Sequence, residues 1–84
     1  MRRLEIYRER IDEIDRNIVK LLIMRFTLVK KIRDYKKWNK ISITDKKREQ
    51  KVINNAKKHS NKENIYFIGQ FFKKIINYSK KLER

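Results

Sequence analysis

The sequence predicts an all-α protein whose chain folds into three helices, long, short and medium in that order. The first observation is the absence of proline and the presence of a single glycine among 84 residues, whereas β-sheets need turns that favour both residue types. The second is that apolar residues recur at steps of three and four, the period of an amphipathic helix. Since this length suits one small domain, residues 1–84 are expected to form a single domain.

The first helix is predicted from Leu4 to about Trp38. At 1.5 Å per residue it would span roughly 50 Å, whereas a compact protein of this length has a radius of gyration of only ~12 Å. The rest of the chain is too short to cover such a helix, so we expect a second copy to bury the excess in a helical homodimer. The apolar positions are Leu4, Tyr7, Ile11, Ile14, Ile18, Leu21, Leu22, Leu28, Val29, Ile32 and Tyr35.

The second and third helices follow short polar connections. Residues 39–44 are predicted to form a loop, and Asp45 is predicted to cap a helix over residues 46–58, with Val52, Ile53 and Ala56 facing inward. Ser60 and Glu63 fit a capping box, which predicts a third helix over residues 61–83. Its apolar stripe is Ile65, Ile68, Phe71, Phe72, Ile75, Ile76 and Leu82.

Composition excludes several classes of function. The chain has no cysteine, which excludes disulfides and thiolate chemistry, and its one histidine, His59, excludes a histidine-clustered metal site and is expected to be exposed. No apolar run reaches the ~20 residues of a membrane span, and no signal-peptide core is visible, so a cytoplasmic protein is expected. The net charge of +15 favours an anionic partner, although a solvated basic surface explains it equally well.

Two cations lie beside the apolar stripe of the first helix. Arg25 and Lys36 are 11 residues apart, about three turns, and project from nearly the same face. Burying them is costly unless an anion meets them; alternatively, their stems lie along the surface. Arg8 lies roughly 26 Å along the axis from Arg25, so it cannot grip the same small ligand on one chain. In a dimer, Arg8 could reach the site of the other chain.

Polar residues also mark the start of the second helix and the end of the chain. Asp45, Arg48 and Glu49 have the spacing of one helix face, which fits either a ligand site or a cap with a local ion pair. Glu83 lies one turn after Ser79 and next to the last residue. It could face a ligand, or it could be frayed and exposed.

The order and spacing of these residues resemble the all-α, type II class of chorismate mutases over essentially the whole chain. The opening pattern of the class is present as Leu4, Arg8, Ile11, Asp12 and Asp15. The arginine within LLIMRFTLVKKI and the Asp-x-x-Arg-Glu pattern at 45–49 are the most specific parts. The matching segments are LEIYRERIDEIDRNIVKLLIMRFTLVKKIRDYKK, ITDKKREQKVI and IGQFFKKIINYSKKLE.

The resemblance implies an intertwined homodimer that isomerises chorismate to prephenate in phenylalanine and tyrosine biosynthesis, by a Claisen-type rearrangement without cofactor or metal. Substrate carboxylates would be bound by Arg25, Arg48 and, from the other subunit, Arg8. Lys36 would donate to the ether oxygen and a carboxylate. The ring hydroxyl would be held by Glu49 with help from Asp45, and Ser79 and Glu83 would contact the substrate. The catalytic residues would be Lys36, Glu83 and Arg25.

This reaction fits the residue types that the resemblance selects. Cations orient the dianion, and a donor stabilises the negative charge that develops on the ether oxygen as the C–O bond lengthens. An ionised carboxylate cannot donate a hydrogen bond. We therefore hypothesise that Glu83 acts protonated, with the substrate carboxylates opposing its ionisation and Lys80 and Lys81 favouring it.

Other functions remain open from the sequence. An isochorismate pyruvate-lyase of the same fold would have a similar site, and an inactive or regulatory homologue would share the fold. A basic helical nucleic-acid-binding module fits the net charge, but the acidic residues of the first helix argue against it, so neither nucleic acid nor membrane is expected as a partner. Those acidic residues are Glu9, Asp12, Glu13 and Asp15.

Overall fold

The computed structural model describes residues 2–84, and these form three α-helices and no strand. Helix α1 runs from Arg2 to Trp38, α2 from Lys46 to Lys58 and α3 from Ile65 to Glu83. The prediction of an all-α, three-helix chain is confirmed. Helix α3 packs against both α1 and α2. Within residues 2–84, no helix combines the length and apolar character needed to cross a membrane.

Only part of α1 belongs to the core of the single chain. Val29 is buried together with Ile53 of α2 and with Ile75 and Ile76 of α3. By contrast, every residue from position 2 to position 21 is exposed. The molecule therefore measures 57 × 25 × 16 Å with a radius of gyration of 16.2 Å, whereas ~12 Å is typical of a compact chain of this length.

A Schellman motif ends α1. The N–H of Ile41 donates to the carbonyl of Lys36 at 2.8 Å, and the N–H of Lys40 donates to that of Lys37 at 3.4 Å. This geometry places Lys40 in the left-handed region, with φ 53°, where glycine is the usual residue. The motif turns the chain sharply, so that the loop after α1 passes back beside the last turn of the helix.

Helix α2 begins and ends where the sequence predicts. The side chain of Asp45 accepts a hydrogen bond from the N–H of Arg48 at 3.0 Å, which confirms its role as N-cap. Ile53 is buried, and Val52 and Ala56 are partly buried, as expected for the inward face. The cap fixes the first turn of α2, and with it the direction of the polar side chains at positions 45, 48 and 49.

Helix α3 begins four residues later than predicted, and the predicted capping box of Ser60 and Glu63 is wrong. The side-chain oxygen of Asn61 accepts from the N–H of Asn64 at 2.9 Å, while the Ser60 hydroxyl donates to the carbonyl of Asn61 at 3.0 Å. These local side-chain bonds compete with the helix, so residues 62–64 form a turn and the helix starts at Ile65. The apolar stripe of α3 is unaffected.

Candidate active site

A cavity of about 320 Å³ lies where the three helices meet. Each helix contributes one stripe of residues spaced by three and four positions, as expected for side chains on one helix face. The apolar lining of the cavity also includes Ile43, from the loop after α1. The three stripes are Arg25, Val29, Ile32 and Lys36 from α1; Asp45, Arg48, Glu49 and Val52 at the start of α2; and Ile76, Ser79, Lys80 and Glu83 from α3.

Seven of the eight residues that the sequence singles out for substrate binding line this cavity. They come from all three helices, so no single segment of the chain contains the site. The eighth, Arg8, lies in the exposed half of α1 and does not line the cavity. The seven are Arg25, Lys36, Asp45, Arg48, Glu49, Ser79 and Glu83.

Arg25 is held in place by α3. Its guanidinium donates a hydrogen bond to the hydroxyl of Ser79, which in turn donates to the carbonyl of Ile75 at 2.8 Å. Burial, and to a lesser extent the positive charge of Arg48, lower the pKa of Arg25 below its usual range. Both effects disfavour the charged form of Arg25, and an anion bound in the cavity would offset them.

Lys36 lies between the loop and the end of α3. Its ammonium donates to the carbonyl of Ile43 at 3.2 Å and pairs with Oε1 of Glu83 at 3.4 Å. Both side chains are largely buried, with exposures of 18% for Lys36 and 10% for Glu83. Glu83 is thus packed into the site, and the alternative that it is frayed and exposed is wrong. An ammonium has three N–H groups, so one of those on Lys36 remains for a ligand.

Glu49 presents a buried acceptor to the cavity. Its Oε1 pairs with the ammonium of Lys80 at 3.2 Å. Its Oε2 is buried, and no hydrogen-bond donor among residues 2–84 reaches it. A buried acceptor without a donor costs free energy, which a ligand hydroxyl would recover. Asp45, the second carboxylate expected here, uses one oxygen to cap α2.

The sequence interpretation did not include Lys80 among the site residues. Helix periodicity could nevertheless have predicted that Lys80 faces the site. It lies on the same face of α3 as Ser79 and Glu83, in the i, i+3, i+4, i+7 pattern that starts at Ile76. What the sequence did not reveal is the partner of Lys80. Glu49 is 31 positions earlier in the chain, and only the packing of α2 on α3 brings the two together.

Two further expectations concern histidine and metal ions. His59 is exposed at the C-cap of α2, as predicted. Among residues 2–84, histidine, aspartate and glutamate side chains do not converge in a group of three or more that could hold a metal ion.

The architecture and its cavity define a class: small all-α proteins whose helices together enclose a site rich in cations. Within that class, the family described as chorismate mutase type II matches residues 7–84. The match covers 78 of the 84 residues, and the chain therefore belongs to the type II chorismate mutase family. At the level of the family, this membership implies isomerase activity. Comparisons with curated proteins and with solved structures gave no match.

Proposed function

We propose that the protein isomerises chorismate to prephenate without a cofactor, for phenylalanine and tyrosine biosynthesis. The observation that carries the proposal is the convergence of Arg25, Lys36 and Arg48 on one cavity that also contains a buried acceptor on Glu49. Chorismate offers two carboxylates, an ether oxygen and a ring hydroxyl. The cavity offers cations, a lysine N–H and an unpaired carboxylate oxygen, which match these groups in kind.

Arg25 and Arg48 are the groups proposed to bind the substrate carboxylates. Arginine forms two parallel hydrogen bonds with a carboxylate, and it stays cationic even when its pKa is lowered. The hydrogen bond to Ser79 holds the Arg25 guanidinium against α3. Two carboxylates held at fixed points restrict the flexible side chain of chorismate to the compact conformer in which the reacting carbons approach each other.

Glu49 is proposed to accept a hydrogen bond from the ring hydroxyl through its free Oε2. Asp45 assists by fixing the first turn of α2, from which Glu49 projects. This contact sets the orientation of the ring, because the hydroxyl lies on one face only. A ligand without the hydroxyl would leave the Glu49 oxygen buried and unpaired, which is unfavourable.

Lys36 and Glu83 are proposed to act on the ether oxygen. In the rearrangement one C–O bond breaks and one C–C bond forms within the same molecule, and no proton is transferred. Negative charge grows on the ether oxygen as the C–O bond lengthens, and the free N–H of Lys36 stabilises it. Glu83 assists in its protonated form, in which its O–H donates to the same oxygen.

The site is proposed to be completed by Arg8 of a second copy in a homodimer. The cavity of one chain contains four cationic and three carboxylate side chains, a net charge of +1. With Glu83 protonated, as proposed above, this becomes +2, which balances the substrate dianion, and Arg8 of a second copy would add a further cation to hold one of its carboxylates. Arg8 lies in the exposed half of α1, and that half carries apolar side chains such as Ile11, Ile14 and Ile18 that are 40–57% exposed in the single chain.

The test is a turnover assay with the purified protein. Chorismate is followed by its absorbance, and the product is identified as prephenate by NMR. Lys36→Ala is expected to lower kcat at least ~100-fold, since loss of one donor to a developing oxyanion has an effect of that order. Lys31→Ala, the same change at an exposed lysine on α1, is the control and should retain the activity.

A parallel incubation with isochorismate separates the proposal from the lyase alternative. Release of pyruvate and salicylate from isochorismate, with chorismate unchanged, would show a lyase and contradict the proposal. The proposal would be supported if the wild type and Lys31→Ala both form prephenate from chorismate and Lys36→Ala does not.

A further inference from the structure

We propose that Lys80 is a positioning residue of this site, which holds Glu49 so that its second carboxylate oxygen meets the ring hydroxyl of the substrate. The inference rests on the proposed function and adds a residue to it. Lys80 belongs to α3 and Glu49 to α2, so the pair also fixes the spacing of two walls of the cavity.

The geometry of the pair distinguishes it from an ordinary surface salt bridge. Lys80 Nζ lies 3.2 Å from Glu49 Oε1, and the two side chains are 29% and 26% exposed. Both residues line the cavity. With Oε1 held by the ammonium, Oε2 of Glu49 is fixed in a buried position where no donor among the described residues reaches it. An exposed pair would leave both oxygens to solvent and give no such direction.

Charge gives a second reason for a cation at this position. Glu49 shares the cavity with Arg25 and Arg48, the two cations proposed to bind the substrate carboxylates. A carboxylate with no partner of its own would be attracted to either arginine and would compete with the substrate for it. Lys80 gives Glu49 a separate counter-ion on α3 and leaves the arginines available.

The test is a double-mutant cycle between Lys80 and Glu49, measured with chorismate. Lys80→Met keeps the approximate length of the side chain and removes its charge. We expect it to raise KM on the order of tenfold with a smaller change in kcat, because the ring hydroxyl loses a well-placed hydrogen bond to a charged acceptor, Glu49. In a Glu49→Gln background, the same change should alter KM by less than about twofold, because the two residues act as one unit. Lys80→Arg keeps the positive charge and should have a KM close to that of the wild type.

Controls separate positioning from loss of structure. Lys73→Met, the same change at an exposed lysine on α3, should leave KM unchanged, and circular dichroism with thermal melting should show that each variant is folded. If Lys80→Met does not fold, Lys80→Gln takes its place in the cycle.

The outcome also separates this inference from the proposed function. Absence of prephenate formation by the wild type would contradict the proposed function itself. An active wild type, combined with an equal effect of Lys80→Met in both backgrounds or with no rescue by Lys80→Arg, would overturn the role of Lys80 alone.

Discussion

Arg25 is a partly buried cation whose charge a bound anion would stabilise. Its pKa is lowered by burial and by Arg48, which means that the fold bears a cost for keeping this cation charged. Ser79 holds the guanidinium in place but, as a neutral hydroxyl, does not balance its charge. A dianion that binds between the two arginines would offset this cost, because its negative charges stabilise both cations.

Lys36 and Glu83 are the two residues proposed to act on the bond that breaks. Their side chains pair with each other. When substrate binds, the proposed Glu83 donor must carry a proton, because a carboxylate has none to give. The two substrate carboxylates favour the protonated form by repulsion, whereas Lys36 favours the ionised form.

If Glu83 donates to the ether oxygen as proposed, catalysis should depend on pH. In the wild type, kcat should fall with rising pH, because an ionised Glu83 has no proton to donate to the ether oxygen. Glu83→Gln carries a neutral N–H donor at every pH and should keep kcat flat over the same range. The measurement is kcat at saturating chorismate from pH 5 to 9 for both proteins.

A buffer control accompanies this experiment. Ionic strength is held constant, since surface charges are screened by salt and the chain is strongly basic. Parallel pH profiles for the wild type and Glu83→Gln would contradict the proposal that Glu83 donates a proton to the ether oxygen.

Among the elements, the turn after α1 positions a contact of Lys36, the proposed donor to the ether oxygen. The Schellman motif brings the loop back towards Lys36, and the carbonyl of Ile43 in that loop accepts a hydrogen bond from the Lys36 ammonium. The motif requires a left-handed residue, and here it is Lys40. A non-glycine residue in that conformation costs roughly 1 kcal/mol.

Lys40→Gly is therefore predicted to stabilise the fold. Glycine adopts the left-handed conformation without steric cost, and although it also loses more backbone entropy on folding, a net gain of about 0.5 kcal/mol is expected. The measurement is chemical denaturation at a fixed protein concentration. Lys40→Ala is the matched control: it removes the same exposed side chain but keeps the strain, and should not gain stability. A lower unfolding midpoint for Lys40→Gly than for Lys40→Ala would contradict this account.

The elements were predictable to different degrees, for physical reasons. Helix α2 follows from a strong local signal, the Asp45 cap with an apolar face behind it, and its bounds match the prediction. The start of α3 does not, because the Asn61 side chain bonds the N–H of Asn64 and residues 62–64 form a turn instead of a first turn of helix. Such a choice depends on small differences between local hydrogen bonds, which a residue pattern does not resolve.

The sequence predicted most of the polar residues that line the site, but not which of their side chains contact one another. The positions of Arg25, Lys36 and Arg48 follow from helix spacing and from the family pattern, and all three line the cavity. The pair of Glu49 and Lys80, and the hydrogen bond from Arg25 to Ser79, join residues 31 and 54 positions apart. These contacts depend on how α3 packs on the other helices, which the sequence alone does not specify.

At the scale of the whole molecule, the exposed half of α1 is the main unexplained feature of a single chain. Leu4, Tyr7, Ile11, Ile14 and Ile18 are 40–57% exposed, and all lie on a helix that extends beyond the rest of the fold. Contiguous exposed apolar surface of this kind marks an interaction site. In the proposed dimer, the same half of α1 would both bury this surface and deliver Arg8 to the second site.

In the proposed dimer, Arg8 of each copy completes the cationic cavity of the other, and this cavity rearranges chorismate. Mixing two impaired variants tests this arrangement. Arg8→Ala keeps the cavity of its own chain intact, and Arg25→Ala keeps Arg8, so a mixed dimer contains one complete site. Each variant is made separately, and the two are then unfolded together and refolded at equal concentrations, with mixed dimers counted by native mass spectrometry.

Each variant alone should form prephenate slowly, and the mixture should recover about a quarter of wild-type activity, because half of randomly paired dimers are mixed and each has one working site of two. Variants refolded separately and then combined without exchange are the control and should stay inactive. Mixed dimers that form without any recovery of activity, or an Arg8→Ala protein that is fully active by itself, would contradict the account.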